Sequence, residues 1–131
     1  MIALDASVLI AAVSSVDPHH EQAVGVFEND DDFAVHTLTF AEVLTGGVRT
    51  GQEHELVDLF TRLGVVELDR VENEALRLAR LRAETLLKLP DCCVLLAAES
   101  QHASLATYDD RLAAIATSRG ITVITESPAG S

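Results

Sequence analysis

Short apolar runs alternate with stretches of helical spacing along the whole chain. Runs of three or four apolar residues are typical of buried strands, and residues recurring every three or four positions are typical of amphipathic helices. The predicted strands are 2–4, 33–36, 65–68, 104–107 and 121–124. The predicted helices are 6–13, 19 or 20 to 27, 39–44, 52–62, 71–87, an apolar segment from residue 91, and 109–119.

This alternation predicts the fold class. Helices that connect neighbouring strands require parallel crossovers, so the chain is expected to form a largely parallel sheet flanked by helices. We therefore predict a three-layer α/β/α domain over residues 1–131, with a loose C-terminal tail at 126–131.

Glycine positions and apolar spacing add two local expectations. The Gly46-Gly47 pair is expected to end the helix that begins at Thr39, because glycine is a common helix terminator. One buried face is predicted for the helix 71–87, with spacings that fit 3.6 residues per turn. Its expected members are Val71, Ala75, Leu78, Ala79 and Leu86.

Composition narrows the class of protein. The chain has 131 residues, 48% of them hydrophobic and 23% charged, which is typical of one globular domain. No apolar run approaches the roughly 18 residues that span a bilayer, and no basic leader precedes the first strand, so a cytoplasmic protein without a membrane segment is expected. The adjacent Cys92 and Cys93 are interpreted as small buried side chains rather than as a disulfide or zinc site.

The net charge of −12 bears on the kind of partner. Taken alone, it argues against nucleic acid, because phosphate binding usually shows as a basic face. Part of the negative charge would belong to a metal site, however. Arg77, Arg80, Arg82 and Lys88 also lie close together before Asp91 and predict a local basic rim. An acidic surface also suits a small basic protein partner.

Four carboxylates carry the main chemical signal. Asp5, Glu42, Asp91 and Asp109 each lie where an apolar segment gives way to a predicted helix start. In parallel α/β sheets, strand C-ends and helix N-ends gather along the edge that binds ligands. Four acids gathered there would repel one another unless a divalent cation neutralised them, and Mg²⁺ and Mn²⁺ prefer such oxygen ligands. The pattern predicts a metal-dependent enzyme acting on phosphate esters.

Each acid also has a structural explanation. Asp5 and Asp109 could cap helices, Thr39 and Glu42 match a capping box, and Asp91 would suit the dipole of a first turn. These roles do not explain why four acids share one sheet edge, or why charges lie beside apolar sequence, where an unpaired charge is costly.

Hydroxyl groups accompany two of the acids. Ser7 and Thr107 could hold ligating carboxylates or waters in place. Asp110 places a second acid beside Asp109, which leaves open which of the two points inward.

These motifs resemble those of a known family. Leu4-Asp5-Ala6-Ser7, Thr39-x-x-Glu42, Leu89-Pro90-Asp91 and Thr107-Tyr108-Asp109 resemble, in order and over nearly the whole chain, the motifs of PIN domains. The length and the helical stretch before Leu89 resemble the VapC-type toxins of bacterial toxin–antitoxin pairs.

The resemblance implies a function. It implies a Mg²⁺- or Mn²⁺-dependent endoribonuclease, usually a homodimer, held inactive by a VapB-type antitoxin. Asp5 and Asp91 would be direct metal ligands and Asp109 a ligand directly or through water, as the Thr-x-Asp pattern favours Asp109 over Asp110. Glu42 would bind a second metal or orient the attacking water.

Substrate contacts and two alternatives stay open. Arg82 and Lys88 are candidate contacts to RNA phosphates, with a solvated helix face as the simpler explanation. One alternative is a catalytically silent PIN module that only binds a partner. The other is a magnesium-binding receiver domain, which uses an essential late lysine, whereas Lys88 is the only lysine here and none follows it.

Overall fold

The computed structural model describes residues 1–126, so the predicted tail lies outside it beyond Glu126. The strands are β1 (Ile2–Leu4), β2 (Phe33–Val35), β3 (Val65–Glu67), β4 (Ser104–Ala106) and β5 (Val123–Ile124). The helices are α1 (Ala6–Val13), α2 (His20–Val26), α3 (Thr37–Thr50), α4 (Glu53–Arg62), α5 (Glu74–Thr85), α6 (Leu89–Ser100) and α7 (Asp110–Ser118).

The five strands form one sheet in the order β3-β2-β1-β4-β5, and every pairing is parallel. The chain extends the sheet from β1 through β2 to β3, then returns to the other side of β1 to add β4 and β5. The order therefore reverses between β1 and β4, and a crevice at such a switch point is where open α/β sheets bind ligands. Leu4 pairs with Ala106, which places Asp5 and Thr107 side by side at the carboxyl edge.

Two hydrophobic cores cover the two faces of the sheet. Ile2 and Leu4 point into a core built with α1, α2, α3 and α4, while Ala3 and Leu105 point into a core built with α5, α6 and α7. This division follows from the alternation of side chains along a strand. The predicted three-layer α/β/α class with a parallel central sheet is confirmed.

The prediction that Gly46-Gly47 ends α3 is wrong. The helix continues to Thr50 and is closed by Gly51, which has a left-handed backbone (φ 71°). Gly47 faces α4 instead, where an added Cβ would lie 2.6 Å from Leu56 Cδ1 and 3.3 Å from the Glu53 Cα. Glycine is therefore used here for close helix packing rather than for helix termination.

The predicted helix 71–87 is also too long, and its buried face is wrong in part. Asn73 and Leu86 both have left-handed backbones, and they flank a helix that runs from Glu74 to Thr85. Leu81 is its buried residue, whereas Ala75 and Ala79 are exposed and Leu86 is 68% exposed.

Two further features concern apolar segments. Cys92 and Cys93 are free thiols buried in α6, as predicted. Within residues 1–126, no helix combines the length and the apolar character needed to cross a membrane.

Candidate active site

The carboxyl edge of the sheet brings the four predicted acids together. Asp5 directly follows β1, and Asp109 lies three residues after the end of β4. Glu42 lies in the second turn of α3, the helix that follows β2. Asp91 lies in the first turn of α6, which runs back along the sheet before β4 and so begins at the same edge.

Asp5 is the most tightly held of the four. Its side chain is only 8% exposed. The backbone N–H of Ala6 donates to Oδ1 (2.9 Å), and the hydroxyls of Ser7 and Thr107 both donate to Oδ2 (2.8 Å each). Asp5 therefore caps α1, and the hydroxyls of Ser7 and Thr107 also hold its carboxylate across the switch point.

Thr107 links Asp5 to Asp109. Its hydroxyl donates to Asp5 and accepts from the backbone N–H of Asp109 (3.0 Å). Asp109 Oδ1 in turn accepts from the N–H of Leu112 (2.9 Å) and so caps α7. Asp110 is the first residue of that helix and is exposed.

Glu42 and Asp91 show that the acids act on one another. Burial, followed by the charges of Asp5 and Asp91, raises the pKa of Glu42. Burial, followed by the charges of Asp109 and Asp5, raises the pKa of Asp91. Mutual repulsion of this kind is what gathered carboxylates experience without a counter-ion.

Cations border the cluster. The charges of Lys88 and Arg111 oppose the rise in the pKa of Asp91, which places both near its carboxylate. Arg111 was not among the predicted residues. The sequence did carry one signal for Arg111. A basic residue in the first turn of a helix is disfavoured by the helix dipole, so its position there is unusual.

Arg82 has a different position. Its Nη1 donates to the carbonyls of Leu86 (2.8 Å) and Leu87 (2.7 Å), so the guanidinium holds the end of α5. Its role as an RNA contact stays a prediction, as does that of Lys88.

The capping-box explanation of Thr39 and Glu42 is wrong. His36 caps α3, with Nδ1 accepting from the N–H of Leu38 (3.0 Å), so both residues lie inside the helix. Thr39 is buried, and its hydroxyl has no hydrogen-bond partner within residues 1–126. Glu42 is therefore not needed for a helix cap.

The donor set fits a hard divalent cation. Carboxylates are the side chains that Mg²⁺ and Mn²⁺ prefer, and a cation would relieve the repulsion that adds to burial in raising the pKa of Glu42 and Asp91. In the positions described for residues 1–126, no three His, Cys, Asp or Glu side chains form a group that could hold a metal ion. Asp5, Asp91 and Asp109 stay the predicted ligands, with Glu42 as the fourth acid of the set.

The chain matches a known protein family over most of its length. The family model described as PIN domain matches residues 2–118. No curated protein matches the chain.

Several solved structures share the fold. A toxin–antitoxin complex from Klebsiella pneumoniae is 24% identical with a TM-score of 0.73, covering 87% of this chain and 91% of that one. VapC20 of Mycobacterium tuberculosis, a toxin that cleaves the sarcin–ricin loop, is 14% identical with a TM-score of 0.68, covering 88% and 95%. VapBC-1 of nontypeable Haemophilus influenzae is 20% identical with a TM-score of 0.68, covering 94% and 96%.

Proposed function

The chain belongs to the PIN domain family, and from this premise we propose that it is a Mg²⁺- or Mn²⁺-dependent endoribonuclease, the toxin of a toxin–antitoxin pair. One observation carries the proposal. Four carboxylates from four separate segments lie along the carboxyl edge of the sheet, where burial and then the charges of Asp109 and Asp5 raise the pKa of Asp91.

The roles of the acids follow from how each is held. Asp5, Asp91 and Asp109 would hold the ion, which when bound polarises the scissile phosphate and makes hydroxide available near neutral pH. Asp5 has a fixed orientation because three donors hold it. Glu42 would accept a proton from the attacking water or hold a second ion.

The cations would contact the substrate. Lys88 and Arg111 lie at the rim of the acidic cluster, where their charges would attract the flanking phosphates of the RNA. This arrangement reconciles the net charge of −12 with a polyanionic substrate, because attraction is needed only at the edge of the site.

An antitoxin partner is proposed from the neighbours and the charge. The Klebsiella structure is a toxin–antitoxin complex, and VapBC-1 shares the fold. We propose a small basic VapB-type antitoxin for this chain, which would place an arginine against the site carboxylates. A homodimer and a cytoplasmic location stay predictions.

The test of the proposed reaction is RNA cleavage by matched variants. Asp91→Asn removes one charge from the cluster with little change in volume, whereas Asp58→Asn removes an exposed charge from α4. With Mn²⁺, wild type and Asp58→Asn should cleave single-stranded RNA at similar rates, and Asp91→Asn or added chelator should abolish cleavage.

The same test separates the alternatives. A catalytically silent PIN module would leave RNA intact in every sample. Equal cleavage by wild type and Asp91→Asn would show that the acidic edge is not the active site.

A further inference from the structure

An aromatic stack is carried in part by the segment that holds Asp109. The imidazole of His19 lies on the ring of Tyr108, with centroids 4.3 Å apart and planes inclined by 10°. Tyr108 stands between Thr107 and Asp109, and its backbone N–H donates to the Ser7 hydroxyl (3.1 Å) that itself donates to Asp5. The backbone of Tyr108 therefore lies at the candidate active site, and its ring extends from there to His19.

The other aromatic rings serve the core. The chain has four phenylalanines, one tyrosine and no tryptophan. The phenylalanines form two pairs, Phe27 with Phe33 and Phe40 with Phe60, which pack in or against one hydrophobic core. Tyr108 also packs against this core, but its backbone is held at the acidic edge through the Ser7 hydroxyl.

The lower layer of the stack is fixed and neutral. The Tyr108 hydroxyl donates to the carbonyl of Thr125 (2.9 Å), which orients the ring. Burial, followed by the charges of Asp17 and Glu126, raises the pKa of Tyr108 to about 12, so the phenol keeps its proton at neutral pH.

The upper layer is open to solvent. The backbone N–H of His19 donates to Asp17 Oδ1 (2.8 Å), and its Nδ1 lies 3.8 Å from the same oxygen. Its side chain is 47% exposed, which fits a ring covered on one face and open on the other.

A cavity adjoins the imidazole. Its volume is about 540 Å³, and its lining comes from residue 15 and residues 17–22. This volume lies within the range of small-molecule sites and has room for one base. Asp17 and Glu21 in the lining would repel a phosphate but could accept hydrogen bonds from the amino groups of a base.

We propose that the open face of His19 is a stacking subsite for one unpaired nucleobase of single-stranded RNA that is bound at the acidic edge of the sheet. The proposal rests on the proposed ribonuclease function and adds a residue that selects where the RNA is held. Proteins commonly bind unpaired bases by stacking them on aromatic or histidine rings, because every base has a π-face.

The test uses substitutions of His19 in the full chain. His19→Ala removes the ring, His19→Phe keeps a stacking surface without the imidazole nitrogens, and His54→Ala removes an exposed histidine from α4 as a control. Each of a set of short RNAs carries the fluorescent base 2-aminopurine at a different position. The quenching of its fluorescence when the RNA binds is measured by stopped flow in Mn²⁺, before the first turnover. Steady-state cleavage gives KM and kcat, and thermal melting checks folding.

The expected result is quenching at one position in wild type. His19→Ala should remove that quench and raise KM about 10-fold with kcat within about twofold, because stacking contributes equally to the ground and transition states. His19→Phe and His54→Ala should stay within about twofold of wild type in KM.

Other outcomes distinguish a failure of the proposed stacking subsite from a failure of the proposed ribonuclease function. If wild type cleaves RNA and His19→Ala keeps its KM and quench, or His19→Phe behaves like His19→Ala, the subsite is wrong and the ribonuclease stands. If wild type shows a His19-dependent quench without cleavage, the subsite stands and the ribonuclease is wrong. RNA that is neither quenched nor cleaved overturns both.

Discussion

Thr107 offers the most quantitative test of how the site is built. Its side chain is 1% exposed, and its hydroxyl both donates to Asp5 Oδ2 (2.8 Å) and accepts from the N–H of Asp109 (3.0 Å). Thr107→Val replaces this hydroxyl with a methyl group of nearly equal volume, so no cavity forms. The substitution leaves a buried carboxylate with one donor fewer and a backbone N–H without its acceptor.

The expected cost follows from these two bonds. A hydrogen bond to a charged group contributes about 1.5–3 kcal/mol, and a neutral one about 1 kcal/mol, with part of the loss offset by the more apolar methyl. We expect the free energy of unfolding to fall by about 2–3 kcal/mol. With an unfolding entropy of about 2.1 cal/mol/K per residue, the Tm should fall by about 7–11 °C.

The assay is thermal and urea unfolding in chelator, compared with Thr61→Val. The Thr61 hydroxyl also donates one hydrogen bond, to the carbonyl of Val57 (2.8 Å), but on the exposed surface of α4. That control should change the Tm by less than about 2 °C, since surface substitutions usually stay within ±0.5 kcal/mol. Thr107→Ser keeps the hydroxyl and should recover most of the loss. Equal effects of Thr107→Val and Thr61→Val would refute the reasoning that this hydroxyl holds the two acids.

Three further predictions concern charge, packing and the partner. Since the pKa of Asp91 is raised in the folded state, its stability contribution is present below the unfolded pKa and is lost as pH rises through the folded pKa. Without metal, Asp91→Asn should therefore gain stability over wild type as pH rises from about 3 to 7, and urea titrations that show no such gain would contradict a pKa of Asp91 raised by burial and by the charges of Asp109 and Asp5. Gly46→Ala should stabilise by about 1 kcal/mol because its Cβ meets open space, whereas Gly47→Ala should be less stable than Gly46→Ala by about 1–3 kcal/mol because its Cβ meets Leu56. In paired melts, equal Tm values for the two would contradict close α3–α4 packing. Association with a basic antitoxin should slow as salt rises, because charge mainly sets the on-rate. Stopped-flow rates that do not change with salt would argue against charge-driven capture.

Much of the fold could be predicted because its signals are local. Short apolar runs predicted the five strands, and the structure places all five in one parallel sheet. The location of the four acids along one edge could be predicted because strand ends and helix starts share one edge in a parallel sheet. Asp5 illustrates the overlap of roles, since it caps a helix and belongs to the site as well.

The features that could not be predicted depend on tertiary contacts. From the sequence alone, Gly47 indicates a helix end. Its role in packing appears only because α4 lies close to it in the structure. Histidine is an uncommon helix cap, so the use of His36 at α3 was not expected. The stacking of His19 on Tyr108 joins two distant segments, and neither segment carries a local signal for it.

The most direct test of the metal site is calorimetric titration of the full chain with Mn²⁺. Wild type and Asp58→Asn should bind the ion saturably with equal affinity, and Asp91→Asn should bind at least about 10-fold more weakly because a carboxylate ligand is lost. Binding by Asp91→Asn that equals wild type, or no binding by wild type at millimolar Mn²⁺, would contradict a metal-dependent site at the carboxyl edge of the sheet.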